Sequence, residues 1–553
     1  MEVLPRMVDR TTSLRSALSP IGDKVLFVIA LLVLYAGAFL LQWSEPSVTD
    51  VSWLFVICEK MLAGEHLYTD IMETNPPMSV FLYMPTVVVA HALRLSPELV
   101  QICLTLALMT ASVGWTSRML YAAGEIRHLD RYRLIAAFAF GVLALGCFSE
   151  REHIALLTTL PTLAILVLRL KGRTIGPVTA VIAGLGEGLA VTIKPQMALP
   201  ILLAVGLAMV WSRSLKPAFR LEHWIGVAIV GIYVAVVGLV FPAYFTNMMP
   251  VLMDTYRAVR YDIRDIASGD GAIAYYLMVA ALIVLKGRRL GEPRLAVPLI
   301  ASFGYYLSYI DQSKGWAYHL YPAVALATFL LFDEAIGDAY AADVSRLSGR
   351  LALTARIAAL AGFGLGAQPL SDWLEGRQWD SLPLAAQIRH IAPHPSIAII
   401  SDDLGLTNPL IRMVGGSFVG TVASQWITQY ATYRIDHHHL DRAGVNRMKA
   451  WVDYDRDLLA GDIGRSHPDF IVVDRGGFDW LEWARQSPAL AKLIADYRQA
   501  GRANDIYLLA RADLAPQDPH PATGKFWRLG GSDRWLGPEP DESTVRMVHS
   551  AAR

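Results

Sequence analysis

The chain has 553 residues, of which 54% are hydrophobic and only 18% charged, with a mean hydropathy of +0.38. Soluble domains carry about a quarter charged residues, so this composition excludes an ordinary soluble globule. Lys plus Arg and Asp plus Glu stand at 49 each, which excludes the basic field that attracts nucleic acid. The three cysteines (Cys58, Cys103, Cys147) form neither a disulfide framework nor a metal pattern.

Apolar runs of near-spanning length recur through the first two thirds of the chain, the pattern of a polytopic helical membrane protein. Arg6, Arg10, Arg15 and Lys24 precede the first run, 25–42, which is long enough to be a retained span rather than a cleaved leader. Basic residues ahead of a first span place residues 1–24 in the cytoplasm and Asp50 on the other side. From Asp50 to Pro77, apolar residues recur at helical spacing (Val51, Leu54, Phe55, Cys58, Met61, Leu62), then Asp70, Glu73 and Asn75 follow. That stretch predicts an amphipathic helix at the water–lipid boundary.

The next apolar run, 78–95, decides the topology. If it crosses, the basic loop Arg118–Arg133 falls outside. If it lies along the interface, that loop is cytoplasmic, as the positive-inside bias requires. The second reading is adopted, so the first outer loop covers 43–97. Runs 98–117, 134–148, 154–170, 175–192, 197–212, 224–245, 272–285, 295–310, 318–332 and 351–367 then alternate, for about eleven spans in all. The inner turns carry Lys171 and Arg173, then Arg213, Lys216 and Arg220, then Lys286, Arg288, Arg289 and Arg294.

From 370 to 553 charge and proline increase, and no run is long enough to span. β-Branched runs at Ile397–Ile400, Phe470–Val473 and Ile506–Leu509, with helix-like stretches such as Trp480–Tyr497 between them, predict a small α/β domain outside the membrane. The stretch after Pro516, rich in Pro and Gly, reads as irregular.

On this topology polar residues collect in the outer loops. They are Asp50 with Asp70, Glu73 and Asn75; Glu150-Arg151-Glu152-His153; Lys194-Pro195-Gln196; Arg257 and Arg260 in the loop 246–271; and Lys314 with Trp316, Tyr318 and His319. Charged groups beside spans are costly unless they pair or line a wet cavity, so they mark a functional site. Acids can act as general base or metal ligand, and Lys, Arg and His can neutralise a phosphate. One site holding both suits a nucleophile that loses a proton while a phosphorylated group departs. Glu187, in the Gly-rich run GLGEGLA, fits either a packing site or a cavity wall. The run Asp436–His439 reads as polar surface, because adjacent histidines on a helix point in different directions.

In this order and spacing the chain resembles the GT-C superfamily of integral-membrane glycosyltransferases, which includes protein O-mannosyltransferases and aminoarabinose transferases. The features are an acid after the first span (Asp50), an amphipathic loop running to Asn75-Pro76-Pro77, and a second acidic loop at Glu150/Glu152. A Lys194-Pro195 step at a span end and a Lys314-Gly-Trp-Ala-Tyr-His319 loop complete the pattern. The resemblance covers about residues 20–370. It implies a GT-C-like transmembrane domain over 25–369 and a periplasmic domain over 370–553, in a bacterial inner membrane.

The implied reaction is inverting transfer of a sugar from a polyprenyl-phosphate donor to an envelope glycan, lipid or protein acceptor. Asp50 would be the base, assisted by Glu150 or Glu152. Lys194, Lys314 and His319 would hold the lipid phosphate, with Arg151, Arg257 and Arg260 behind them. Asp70, Glu73, Asn75, His153, Gln196, Trp316 and Tyr318 would contact sugar or acceptor. A divalent metal (Mg or Mn) could be held by Asp50, Glu150, Glu152 and His153. Asp50 is followed by Val51, where many mannosyltransferases have Asp-Glu. Segment 78–95 is expected in the wall of the lipid groove. The rival readings are a flippase for a lipid-linked sugar, which usually shows internal repeats or paired broken helices, and a ligase transferring whole glycans.

Overall fold

The structure, a computed structural model, describes residues 4–44, 47–335, 349–374, 382–514, 526–529 and 532–535. The helices in chain order are α1 (Leu4–Trp43), α2 (Thr49–Leu62), α3 (Met78–Phe81), α4 (Met84–Leu93), α5 (Pro97–Ala122), α6 (Leu129–Phe140) and α7 (Arg151–Leu170). They continue with α8 (Pro177–Ile193), α9 (Ala198–Ser212), α10 (Leu221–Val240), α11 (Met249–Asp254), α12 (Ile263–Ser268), α13 (Asp270–Lys286), α14 (Pro293–Gln312) and α15 (Ala317–Ala335), followed by the helix Gly349–Leu374.

Every apolar run read as a span carries a helix. Five stretches are long and apolar enough to cross a bilayer by themselves: Lys24–Trp43, Pro97–Ala122, Arg151–Leu170, Pro195–Ser212 and Leu221–Val240. Burial ranks them. In α7, 89% of the spanning window is buried, against 6% in α1, so α7 is the hub and α1 presents its apolar side chains outward.

Two runs depart from a continuous helix. Residues 78–95 break into α3 and α4, and Arg94 ends α4 in the left-handed region (φ 56). Taken together, the apolar stretch Met78–Leu93 would rise about 24 Å as a continuous helix, short of a hydrocarbon core of about 30 Å. Residues 134–148 form α6 and then 3₁₀ turns over Val142–Cys147, in which Leu145 has φ 44.

The C-terminal region contains a five-stranded sheet: β1 (Ser396–Ile400), β2 (Ser417–Phe418), β3 (Phe470–Asp474), β4 (Tyr497–Ala503) and β5 (Ile506–Arg511). The order is β2-β1-β3-β5-β4, with β1 parallel to β2 and β3, and β5 antiparallel to β3 and β4. The three predicted strands are present. β2 and β4 were not anticipated, and the stretch Trp480–Tyr497 is two short helices, Trp480–Arg485 and Pro488–Ile494, leading into β4. Part of the tail is not irregular: Phe526–Leu529 pairs antiparallel with Ser532–Trp535. Residues 515–525, 530–531 and 536–553 lie outside the described residues.

One hydrophobic core joins this sheet to the first outer loop. Trp53, Phe55, Ile57, Ile71 and Tyr83 share it with Ile397, Ile399, Phe418 and Phe470. Polar ties fix the same seam. Buried Arg412 donates to Glu98 (2.6 Å) and to both oxygens of Glu59 (2.9 Å), and the Met72 N–H donates to the Thr421 carbonyl (2.7 Å). The amphipathic helix α2 is therefore the floor on which the sheet domain rests.

Candidate active site

The site starts from a tight turn before α7. Ser149 is left-handed (φ 63) and its carbonyl accepts from the Tyr83 hydroxyl (2.7 Å), while its hydroxyl bonds that of Thr105 (2.8 Å). The broken segment 78–95 thus braces this turn. The chain then enters α7 with Glu150 at the N-cap, and three buried polar residues, Arg151, Glu152 and His153, occupy its first turn. The opposite partner comes from the end of α8. Pro195 forces Lys194 out of helical geometry (φ −146, ψ 128), which ends α8 and turns the lysine toward α7.

Charges from four separate loops meet here. Arg151 donates to Asp50 (2.7 Å), so the two acidic loops lie on the same side of the molecule. The Asp50 side chain is 26% exposed and Arg151 4%, so the carboxylate is the open member of the pair. Lys194 donates to Glu152 (2.5 Å), to Gln312 (3.1 Å) and to His319 Nε2 (3.0 Å), leaving His319 to carry its proton on Nδ1. Several buried polar atoms find no partner among the described residues: Glu150 Oε2, Glu152 Oε2, Arg151 Nε and His319 Nδ1. Such atoms are expensive to leave unmet, and at this density they indicate a site rather than a scaffold.

Asp50, Arg151, Lys194 and His319 line a cavity of about 1660 Å³. Its polar part also includes Arg257, Arg260, Lys314, Gln196, Trp316 and Tyr318. Lys314 donates to the carbonyls of Tyr256 and Val259 (2.8 Å each), and lies 4.0 Å from the Tyr256 ring centre and 4.6 Å from that of Tyr430. Burial, with Arg260 adding, pushes the Lys314 amine down to about 8. Arg260 donates to the Asp311 carbonyl and to Ser313 (2.8 Å). Arg257 is exposed on the wall, and its side chain makes no hydrogen bond or ion pair among the described residues. An apolar arm leads away between Leu143, Ala144, Val324, Phe363 and Leu365. Segment 78–95 contributes none of the described lining residues, so the arm runs instead along α15 and the helix Gly349–Leu374.

The other sequence-predicted residues sit differently. Glu73 accepts from Trp53 Nε1 (2.8 Å), from the Asn75 N–H (2.9 Å) and from Asn75 Nδ2 (2.6 Å); it braces the rim of the cavity with Asn75 beside it. Asp70 is off the cavity wall and caps the His66 N–H (2.8 Å). His153 and Glu150 lie behind the wall, where the His153 ring packs on Phe148 and Tyr321. Asp436–His439 is exposed. Glu187 is off the wall, bonded to His223 (2.9 Å) between α8 and α10. Among the described residues no three His, Cys, Asp or Glu gather for an ion, and the counter-charges beside Asp50 and Glu152 are Arg151 and Lys194.

Sequence reasoning missed the share of the wall that the sheet domain supplies: Asp402, Asp403, Ser424, Trp426, Gln429 and Tyr430. The available signal was position, since Asp402 and Asp403 directly follow the first β-run, where open α/β sheets bind ligands.

No protein-family profile matches the sequence, and no curated protein matches it. Several solved structures match the fold, among them two of one protein. ArnT from Cupriavidus metallidurans in the apo state superposes with a TM-score of 0.56 at 14% identity, covering 90% of this chain and 100% of that one. The same protein bound to undecaprenyl phosphate gives 0.52 at 14% identity, covering 90% and 99%. The likeness to ArnT is one of fold, over nearly the full length of both chains, and several helices here are long and apolar enough to span: the chain is a multi-pass membrane protein with the GT-C fold.

Proposed function

We propose that the chain is an inverting glycosyltransferase that moves a sugar from a polyprenyl-phosphate donor to an envelope acceptor at the periplasmic face of the inner membrane. The observation that carries this is one cavity holding a partly exposed carboxylate, a set of cations and an apolar arm. The solved structure of ArnT with undecaprenyl phosphate supports a lipid phosphate as the occupant of that arm.

In this reading the polyprenyl tail lies along Val324, Phe363 and Leu365, and its phosphate meets Arg257, with Arg260 and Lys314 beside it. The acceptor hydroxyl sits at Asp50. As the acceptor oxygen bonds to sugar C1, the C1–O bond to phosphate breaks, its electron pair stays on the phosphate oxygen, and the hydroxyl proton passes to Asp50. Attack opposite the leaving group inverts C1. Arg151 fixes the orientation of Asp50, and Glu152 fixes Lys194, whose charge faces the leaving phosphate. Stabilising charge on a departing group in a water-poor site is usually a large part of catalysis. Glycan analysis of the envelope of a strain lacking the gene tests the reading. One sugar type should be missing from one envelope component, and a wild-type glycan profile would sink it.

A further inference from the structure

We propose that the wall supplied by the sheet domain is the acceptor subsite and that it receives an uncharged saccharide. The proposal rests on reading the cavity as a glycosyl-transfer site. The two walls differ in their cations. All five, Arg151, Lys194, Arg257, Arg260 and Lys314, come from the transmembrane half, where the carboxylates Asp50, Glu73, Asp270 and Asp311 also line the cavity. Among the described lining residues, the sheet domain contributes no Lys or Arg and two carboxylates, Asp402 and Asp403. A phosphorylated ligand finds counter-charges only on the first wall; the second offers it none.

The acidic wall is also at the right place in its own domain. β1 and β3 are adjacent and parallel, and the chain leaves β1 toward β2 but leaves β3 toward the other side of the sheet. That reversal makes a crevice at the carboxyl ends of the strands, where ligands bind in open α/β sheets. Asp402 and Asp403 follow β1 at this crevice and face the membrane cavity.

The side chains there suit hydroxyl groups. Trp480 Nε1 donates to Asp402 Oδ1 (3.1 Å), and Ser424 donates to the Asp402 carbonyl (2.9 Å), so the carboxylate is held in place while it retains acceptor capacity. Asp403 is fixed by accepting the Gly405 N–H (2.7 Å). Beside them stand exposed Gln429 and an aromatic corner in which Tyr256 meets Trp426 and Tyr430 edge-on at 6.2 and 5.3 Å. Carboxylates and an amide accept paired sugar hydroxyls. A cationic peptide would also satisfy the carboxylates. It is disfavoured because Lys314 already holds the Tyr256 and Tyr430 rings with its own charge.

The test uses the full-length protein in lipid nanodiscs and saturation-transfer NMR. The probes are maltotriose, mannotriose and galactotriose, with mannose 6-phosphate and trilysine as charged counterparts. Binding of undecaprenyl phosphate is measured in parallel. The expected result is saturation transfer to at least one neutral trisaccharide, weakened tenfold or more in the double variant Asp402→Asn/Asp403→Asn, which still binds undecaprenyl phosphate like the native protein. The subsite is overturned if no neutral trisaccharide binds while undecaprenyl phosphate does, if the variant binds saccharide unchanged, or if mannose 6-phosphate or trilysine is preferred. Failure of the native protein to bind undecaprenyl phosphate overturns instead the transfer-site reading beneath it.

Discussion

The two ends of α7 carry the same kinds of charge and do different work. At its last turn Arg169 donates two bonds to fully buried Glu222 of α10 (2.7 and 2.8 Å), and the pair is closed. At its first turn Arg151 and Glu152 are engaged by Asp50 and Lys194, yet Arg151 Nε, Glu152 Oε2 and the neighbouring Glu150 Oε2 and His319 Nδ1 remain unmet among the described residues, beside the cavity. A saturated ion pair fixes one helix against another. An unsaturated network retains the capacity to bind and to move a proton. Buried charge alone therefore does not locate a site in a membrane protein; incomplete satisfaction next to a cavity does.

The largest expected effect falls on the open end. Asp50→Asn should lower transfer about 10²- to 10⁴-fold, the range for loss of a general base. Pairing it with Arg151→Met should restore nothing, because the base is still missing. At the closed end, Arg169→Met leaves Glu222 buried without its cation and should cost about 3–5 kcal/mol of stability. Here the double variant Arg169→Met/Glu222→Leu should recover most of the thermal midpoint, while turnover per folded molecule stays near native in both. A midpoint in the double variant as low as in the single one would contradict the closed-pair reading.

Lys314 sharpens the comparison through pH. Its amine is held down at about 8, so its charge is present below that pH and lost above it. If that charge helps to hold the donor phosphate, turnover falls as pH rises through about 8. Stability should move the other way. Between about 8 and the ordinary lysine value the unfolded chain binds the extra proton, so the folded state gains with rising pH. Lys314→Arg should push the fall in turnover to higher pH. A turnover profile that is flat from pH 7 to 10 would remove Lys314 from the phosphate's surroundings. The smallest effect is expected at Arg257, which is exposed: Arg257→Ala should raise the donor KM about tenfold, about 1.4 kcal/mol, with kcat little changed.

The helical framework was legible because spanning length and apolarity leave few alternatives. Asp50, the Glu150 loop, Lys194 and the Lys314–His319 loop could be found because charge beside a span is costly. Which acid meets which cation was not legible. Arg151 reaches back about a hundred residues to Asp50 across a turn that depends on Tyr83 and on left-handed Ser149, and no periodicity encodes that closure. Nor does sequence spacing foretell that Asp70 turns to His66 while Glu73 is consumed by Trp53 and Asn75. A separate α/β domain was legible in the β-branched runs, but its contribution to the cavity arises from docking through Arg412 and a shared core, which joins residues more than three hundred positions apart.

The central claim is that this cavity breaks a sugar–phosphate bond with Asp50 as proton acceptor. It is tested most directly by mass spectrometry of purified protein in nanodiscs, given a polyprenyl-phosphate sugar and a saccharide acceptor with no membrane gradient. The account predicts free polyprenyl phosphate and glycosylated acceptor in equal amounts, with neither formed by Asp50→Asn. Intact donor after incubation, together with passage of that donor across the bilayer of liposomes carrying the protein, would contradict it and identify a lipid flippase instead.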